Sequence, residues 1–127
     1  MYTPARCAVI SIQMAKPSSK DRRKQLLKER QTEERRQMDR EEADDLFRDA
    51  YYDHRHGDDP SADRILKRIL ILAPDHAPAL NLLAEIHETA GHHAETLSYL
   101  RRLQKVDPRP INFFNLGVVY RELGQLD

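Results

Sequence analysis

The sequence is poor in most of what anchors a catalytic or disulfide-stapled fold. Among its 127 residues there is one cysteine, Cys7, which excludes an internal disulfide and any metal site built on several thiolates. There are four glycines and no tryptophan, against many Ala, Leu, Arg and Glu, a composition that favours helix over sheet. No apolar run approaches the roughly 20 residues that a membrane-spanning helix needs. The best one, Cys7 to Met14, is broken by Ser11 and Gln13 and is short and weak as a signal-peptide core. Lys+Arg and Asp+Glu number 21 each, so global charge gives no argument for nucleic acid or for a membrane surface. There is no P-loop, no GxGxxG, no nucleophile elbow and no HExxH, since His87 and Glu88 are followed by Thr89, Ala90 and Gly91. His92 and His93 are adjacent and diverge by about 100° on a helix, and His54 and His56 also diverge. The six histidines read as turn and surface residues. Cys7 has no fixed base nearby. No catalytic residue, metal or cofactor is therefore expected.

What is present falls into three zones. Residues 1–19 show no periodicity and contain Pro4 and Pro17, as expected of a disordered extension. Their basic residues Arg6 and Lys16, ahead of the first acid at Asp21, leave an organelle transit peptide as the alternative to a cytoplasmic chain. Residues 20–41 form a charged helix or linker, KDRRKQLLKERQTEERRQMDR, with Ser19 as its expected N-cap. Its apolar residues Leu26, Leu27 and Met38 make no heptad stripe, so a solvated helix is favoured over a coiled coil. Basic residues dominate 20–36 and acidic ones 39–53. The basic run would suit RNA, an acidic protein or an anionic membrane face, but no aromatic interleaves it for base stacking. From Glu42 onward apolar residues recur every three to four positions, predicting helices over 42–56, 60–72, 77–90, 93–106 and 110–123.

These helices carry an internal repeat. Pro74 and Pro108 stand 34 residues apart, each just past a helix, in RILKRILILAP and LSYLRRLQKVDP. Gly57, Gly91 and Gly124 follow alternate helices at spacings of 34 and 33, where turns call for positive φ. Ala50, Ala84 and Gly117 each stand seven residues before those glycines, and a small residue there lets a neighbouring helix approach closely. Leu46, Leu80 and Phe113 correspond on the packed faces of the first helices, and Leu66 and Leu100 on the second.

On these residues the chain resembles the tetratricopeptide repeat family over about two-thirds of its length. The third unit, FFNLGVVYRELGQLD, carries Phe113, Leu116, Gly117, Tyr120 and Gly124. The second, ALNLLAEIHETAGHHAETLSYLRRLQKVDP, carries Leu80, Leu83, Ala84, Gly91, Leu103 and Pro108, with His87 in place of the usual aromatic and Thr96 in place of the usual alanine. The first has Leu46, Ala50, Gly57, Ala62 and Pro74, but its Asp49 and Asp53 replace apolar residues, as in a wetter end repeat. The resemblance implies an all-α, right-handed solenoid of antiparallel helix pairs spanning 42–127, in units of about 43–76, 77–109 and an incomplete 110–127. The sequence stops where the second helix of that last unit would begin. The expectation is an N-terminal piece of a longer repeat protein, or self-association through the uncapped last helix.

The resemblance also implies a concave groove, lined by first helices, that binds a protein or peptide segment. Carried over, its lining is Phe47, Arg48, Tyr51 and Arg55 in the first unit and Asn81, Leu82, Glu85, Glu88 and Thr89 in the second. The third unit offers Ile111, Phe114, Asn115, Val118 and Arg121. Asn81 and Asn115 carry amides that can hydrogen-bond a peptide backbone whatever its sequence. One branch of the family grips the C-terminal carboxylate of heat-shock chaperones with Lys and Asn. Here Phe47, Tyr51 and Leu82 occupy those positions, so that ligand is disfavoured. The mixture of Glu85 and Glu88 with Arg48, Arg55 and Arg121 suggests a ligand without strong charge. The expected role is a scaffold or adaptor, with a substrate-recruiting arm of a larger glycosyltransferase or hydroxylase as the alternative.

Overall fold

The computed structural model describes residues 15–125, so the expectations for the first 14 residues, Cys7 among them, lie outside it. The chain divides into two compact units, meeting between Arg35 and Arg36.

Helix α1 spans Ser19–Arg55, 37 residues, and runs through the change of composition near Glu42 without a break. Ser19 is its first helical residue and not its cap. Ser18 Oγ accepts from the Asp21 amide at 3.2 Å and donates to the Asp21 carboxylate at 2.7 Å, while the Ser18 carbonyl accepts from the Arg22 amide. Capping one residue earlier puts Asp21 in the first turn, where a carboxylate meets the positive end of the helix dipole. In the first unit, described residues up to Arg35 are all exposed, Leu26 and Leu27 included. Local links hold this stretch, such as Gln25 Nε2 donating to Glu29 at 3.1 Å and Thr32 Oγ1 donating to the Lys28 carbonyl. It is a solvated helix.

The second unit contains the rest of α1 and four more helices: α2 (Asp59–Leu72), α3 (Ala77–Thr89), α4 (His93–Val106) and α5 (Pro110–Gln125). The described residues form an all-α repeat of antiparallel helix pairs and no strand. Asp58 starts α2 by accepting from the Ser61 amide, and His76 starts α3 by accepting from the Ala79 amide through Nδ1. Gly57 and Gly91 turn the chain with φ of +81° and +80°. Gly124 is different: it stays helical within α5, because the chain does not turn there.

The core runs through every one of these helices. Ala43 and Ala50 of α1, Ala62, Leu66 and Ile69 of α2, and Leu80 and Leu83 of α3 are fully buried, joined by Leu100 and Leu103 of α4 and Val119 of α5. Each fully buried leucine contributes about 1.5–3 kcal/mol. Thr96, in the place of an alanine, is also fully buried, and its hydroxyl donates to the His92 carbonyl at 3.0 Å. That bond is what makes a polar residue tolerable in the core.

Two expectations about packing change in the third unit. Phe113 is 49% exposed, although Leu80 at the matching position is fully buried. A Cβ at Gly117 would meet nothing within 4 Å, whereas Ala84 at the matching position is 3% exposed. The physical reason is that, among the described residues, the helix packed on α5 is α4, which covers one face and leaves the face of Phe113 and Gly117 open. Also among the described residues, no helix is long and apolar enough to cross a membrane.

Three substitutions check this architecture by chemical denaturation. Leu80→Ala at the centre of the core should cost about 2–5 kcal/mol. Gly91→Ala should cost about 1–2 kcal/mol from the left-handed backbone alone, since its surroundings are open. Gly117→Ala, in a helical and uncrowded position, should instead stabilise by about 0.5–1 kcal/mol.

Candidate functional site

The site grows out of what α3 leaves uncovered. Six of its 13 residues are buried: Ala79, Leu80, Leu82, Leu83, Ala84 and Ile86. Leu82, placed in the groove by position, is therefore core, 4% exposed. The remaining stripe is Asn81, Glu85 and Glu88, spaced four and three apart and so on one side of the helix. Facing it from α5 are Phe114, Asn115 and Val118, with Leu100 of α4 and Ala84 below, and together they enclose an open cleft of about 340 Å³. A second cleft of about 310 Å³ adjoins it and shares Asn81 and Asn115. Its other walls include Pro78, Leu103, Asp107, Arg109, Ile111 and Asn112.

Asn112, which position alone did not single out, is 4% exposed, and its side-chain amide donates to the Asp107 carbonyl at 2.7 Å. It fixes the loop at the foot of α5. Arg109 forks onto the Asp107 carboxylate at 2.6–2.9 Å and holds that carboxyl below its ordinary range, while Asp107 in turn raises the guanidinium.

Of the fourteen residues expected to line one groove, the clefts gather Asn81, Glu85, Glu88, Ile111, Phe114, Asn115 and Val118. Phe47, Arg48, Tyr51, Arg55 and Arg121 lie outside both. Phe47 is half-buried against His76, ring centres 5.7 Å apart, and touches Tyr51 at 6.2 Å. Arg48 lies 3.6 Å from Asp45 on its own helix. Arg55 and Arg121 are exposed. The expected mixture of charges is thus spatially separated, with the glutamates in the cleft and these arginines elsewhere. A further cleft of about 390 Å³ lies where Arg36, Asp39 and Arg40 meet the Pro74 turn, but those three side chains are already engaged.

The histidines are not mere surface and turn residues. His76 Nε2 meets Asp44 of α1 at 2.8 Å, and His54 Nδ1 meets Asp59 of α2 at 2.7 Å. His87 Nε2 meets Asp63 of α2 at 3.0 Å, its ring stacks on Tyr99 of α4, and its Nδ1 lies 3.2 Å from His92 Nδ1. Because a carboxylate only accepts, Nε2 of His87 carries hydrogen, and in the neutral pair His92 donates to His87 Nδ1. Asp63 also accepts from Lys67 at 2.7 Å, a bond that raises the Lys67 ammonium above its ordinary pKa. The imidazole–carboxylate contacts tie a helix to another helix or to a turn. Among the described residues no group of three or more His, Cys, Asp or Glu side chains is placed to hold a metal ion. An imidazole's partner on another helix cannot be read from its own neighbours in sequence; the one signal was His87 standing in an aromatic position.

The loop pair gives a pH-dependent prediction. Arg109→Gln should let the Asp107 carboxyl rise back toward 3.8, read by carboxyl NMR titration. Because the folded-state value is depressed, the pair's stabilisation is present above the unfolded carboxyl pKa and is lost as pH falls through the folded one.

No protein-family profile matches the chain, and no curated protein matches it. Among solved structures it is similar to a variant O-GlcNAc transferase of Thermobaculum terrenum, with 33% identity and a TM-score of 0.58 over 64% of this chain. The match covers 16% of that enzyme's chain, so what is shared is an all-helical stretch of a much longer protein.

Proposed function

We propose that the chain is a tetratricopeptide-type binding module that holds an extended protein segment in the cleft between α3 and α5, in a scaffold or adaptor role in the cytoplasm. Residues 42–127 are then the repeat domain, with 20–41 a charged linker and 1–19 an extension. One observation carries the reading: two amides, two carboxylates and an exposed aromatic from the separate helices α3 and α5 converge on one open cleft. Asn81 and Asn115 each offer an amide donor and an acceptor, the pair of functions that a peptide backbone presents in return. The volume suits a few residues of an extended chain. Nothing in the cleft resembles a nucleophile with its base, which suits binding rather than turnover.

A second reading is favoured by the likeness to an O-GlcNAc transferase: the repeats are the substrate-recruiting arm of a larger glycosyltransferase. The two readings share the groove and differ in what the groove delivers its ligand to. Reading the coding frame past Asp127 separates them. A domain with a nucleotide-sugar site would favour the arm, and an immediate stop codon would remove it.

The groove itself is tested by NMR, titrating the isotope-labelled chain with a degenerate nonapeptide mixture. Shifts should concentrate at Asn81, Glu85 and Asn115. The double substitution Asn81→Ala/Asn115→Ala should weaken binding about ten- to a hundredfold, at about 0.5–1.5 kcal/mol per lost hydrogen bond, with helicity by circular dichroism unchanged. Shifts confined to the α1 residues Phe47, Tyr51 and Arg55 would move the site elsewhere.

A further inference from the structure

We infer that the occupant of the α3–α5 cleft is a basic-apolar peptide segment of another protein, presenting a lysine or arginine to Glu85 and Glu88 and an apolar side chain to Phe114 and Val118. This rests on the groove reading above and adds the charge and polarity of the ligand.

The fold leaves negative charge uncompensated along this cleft. Glu85 and Glu88 stand three residues apart on α3, one turn along the same wall, so their carboxylates repel each other in the empty cleft. Among the described residues no lysine or arginine pairs with either. The nearest ring nitrogen to Glu85 is His54 Nε2 at 4.0 Å, and His54 is already held by Asp59 through Nδ1 at 2.7 Å. In the adjoining cleft, by contrast, Asp107 is neutralised by Arg109. The joined cleft therefore keeps a formal charge set by Glu85 and Glu88 alone.

The opposite wall supplies the second half of the recognition. Phe114 is 67% exposed on α5, a large ring left to water on the cleft's own rim, with Val118 one turn further. A cation between the carboxylates and the face of that ring is attracted by both, and arginine, which is weakly hydrated and planar, gains most. An aliphatic neighbour in the same segment covers Phe114 and Val118. The converse ligands fare worse: a phosphate or carboxylate would meet two like charges. The arginines that softened this expectation on sequence, Arg48, Arg55 and Arg121, lie outside the cleft.

The test uses the full chain and three fluorescein-labelled nonapeptides of glycine and serine that carry two leucines and, at two fixed positions, lysine, glutamine or glutamate. Anisotropy is read at about 0.1 M salt, where exposed ion pairs retain part of their strength. The lysine peptide should bind about three- to tenfold more tightly than the glutamine peptide, as two solvent-exposed pairs allow, and the glutamate peptide most weakly. In Glu85→Gln/Glu88→Gln the lysine and glutamine peptides should become equal, while Phe114→Ala should weaken all three. Equal binding of lysine and glutamine peptides to the unaltered chain, or a lysine preference that survives the double substitution, overturns the basic-ligand inference. If binding in those cases still responds to Phe114→Ala and Asn115→Ala, the groove reading stands without it. Binding that ignores both of those substitutions, or no binding by any peptide, removes the groove reading and this inference together.

Discussion

Everything in the second unit depends on covering α3. A helix of 13 residues with six of them buried, on more than one face, is stable only between neighbours, and α2 and α4 both pack against it. Ala84 and Ala79 keep its surface low enough for that approach, and Leu80 and Leu83 fill the space this creates. Once those residues are committed, the helix has one stripe left, and it is polar. The groove wall formed by Asn81, Glu85 and Glu88 is the remainder of a packing solution, which is why it is straight, rigidly backed and regularly spaced.

Electrostatics in this chain divides into ties and a remainder. Asp44, Asp59 and Asp63 each meet an imidazole from a different turn of the chain, and Asp63 is shared between His87 and Lys67. Such contacts bridge a helix to another helix or to a turn beside it, and they give direction to contacts that apolar packing alone would leave free to slide. Near the foot of α5, Arg109 and Asp107 close a local loop in the same manner. Glu85 comes no closer than 4.0 Å to His54, and neither Glu85 nor Glu88 pairs with a lysine or arginine among the described residues.

Much of the helical frame was legible because helices are announced by short-range signals. The 34-residue spacing, Pro74 and Pro108, and the turns at Gly57 and Gly91 place the helices of the second unit within a few residues of where they stand. The site was legible only in part. Asn81, Glu85, Glu88, Phe114 and Asn115 follow from position in the repeat, and they converge. Leu82 did not fit, because whether a residue beside a groove faces in or out depends on a rotation that only the neighbouring helices fix. Phe113 and Gly117 departed from the pattern for one common reason: a repeat pattern assumes cover on both faces, and among the described residues α5 is packed on α4. Arg48, Arg55 and Arg121 share a helix type with the cleft residues but not their location, and periodicity carries no information on that separation.

The uneven cover of the two walls has a mechanical consequence. Because each helix of a repeat leans on its nearest neighbours, restraint is a local property. The wall on α3 is held from both sides, like an anvil. Among the described residues the wall on α5 is held by α4, with Asn112 pinning its first turn and Arg101 reaching Tyr120 from the neighbouring helix. Phe114 and Asn115 lie near the end that Asn112 pins, so of the two walls the one on α5 leans on fewer neighbours.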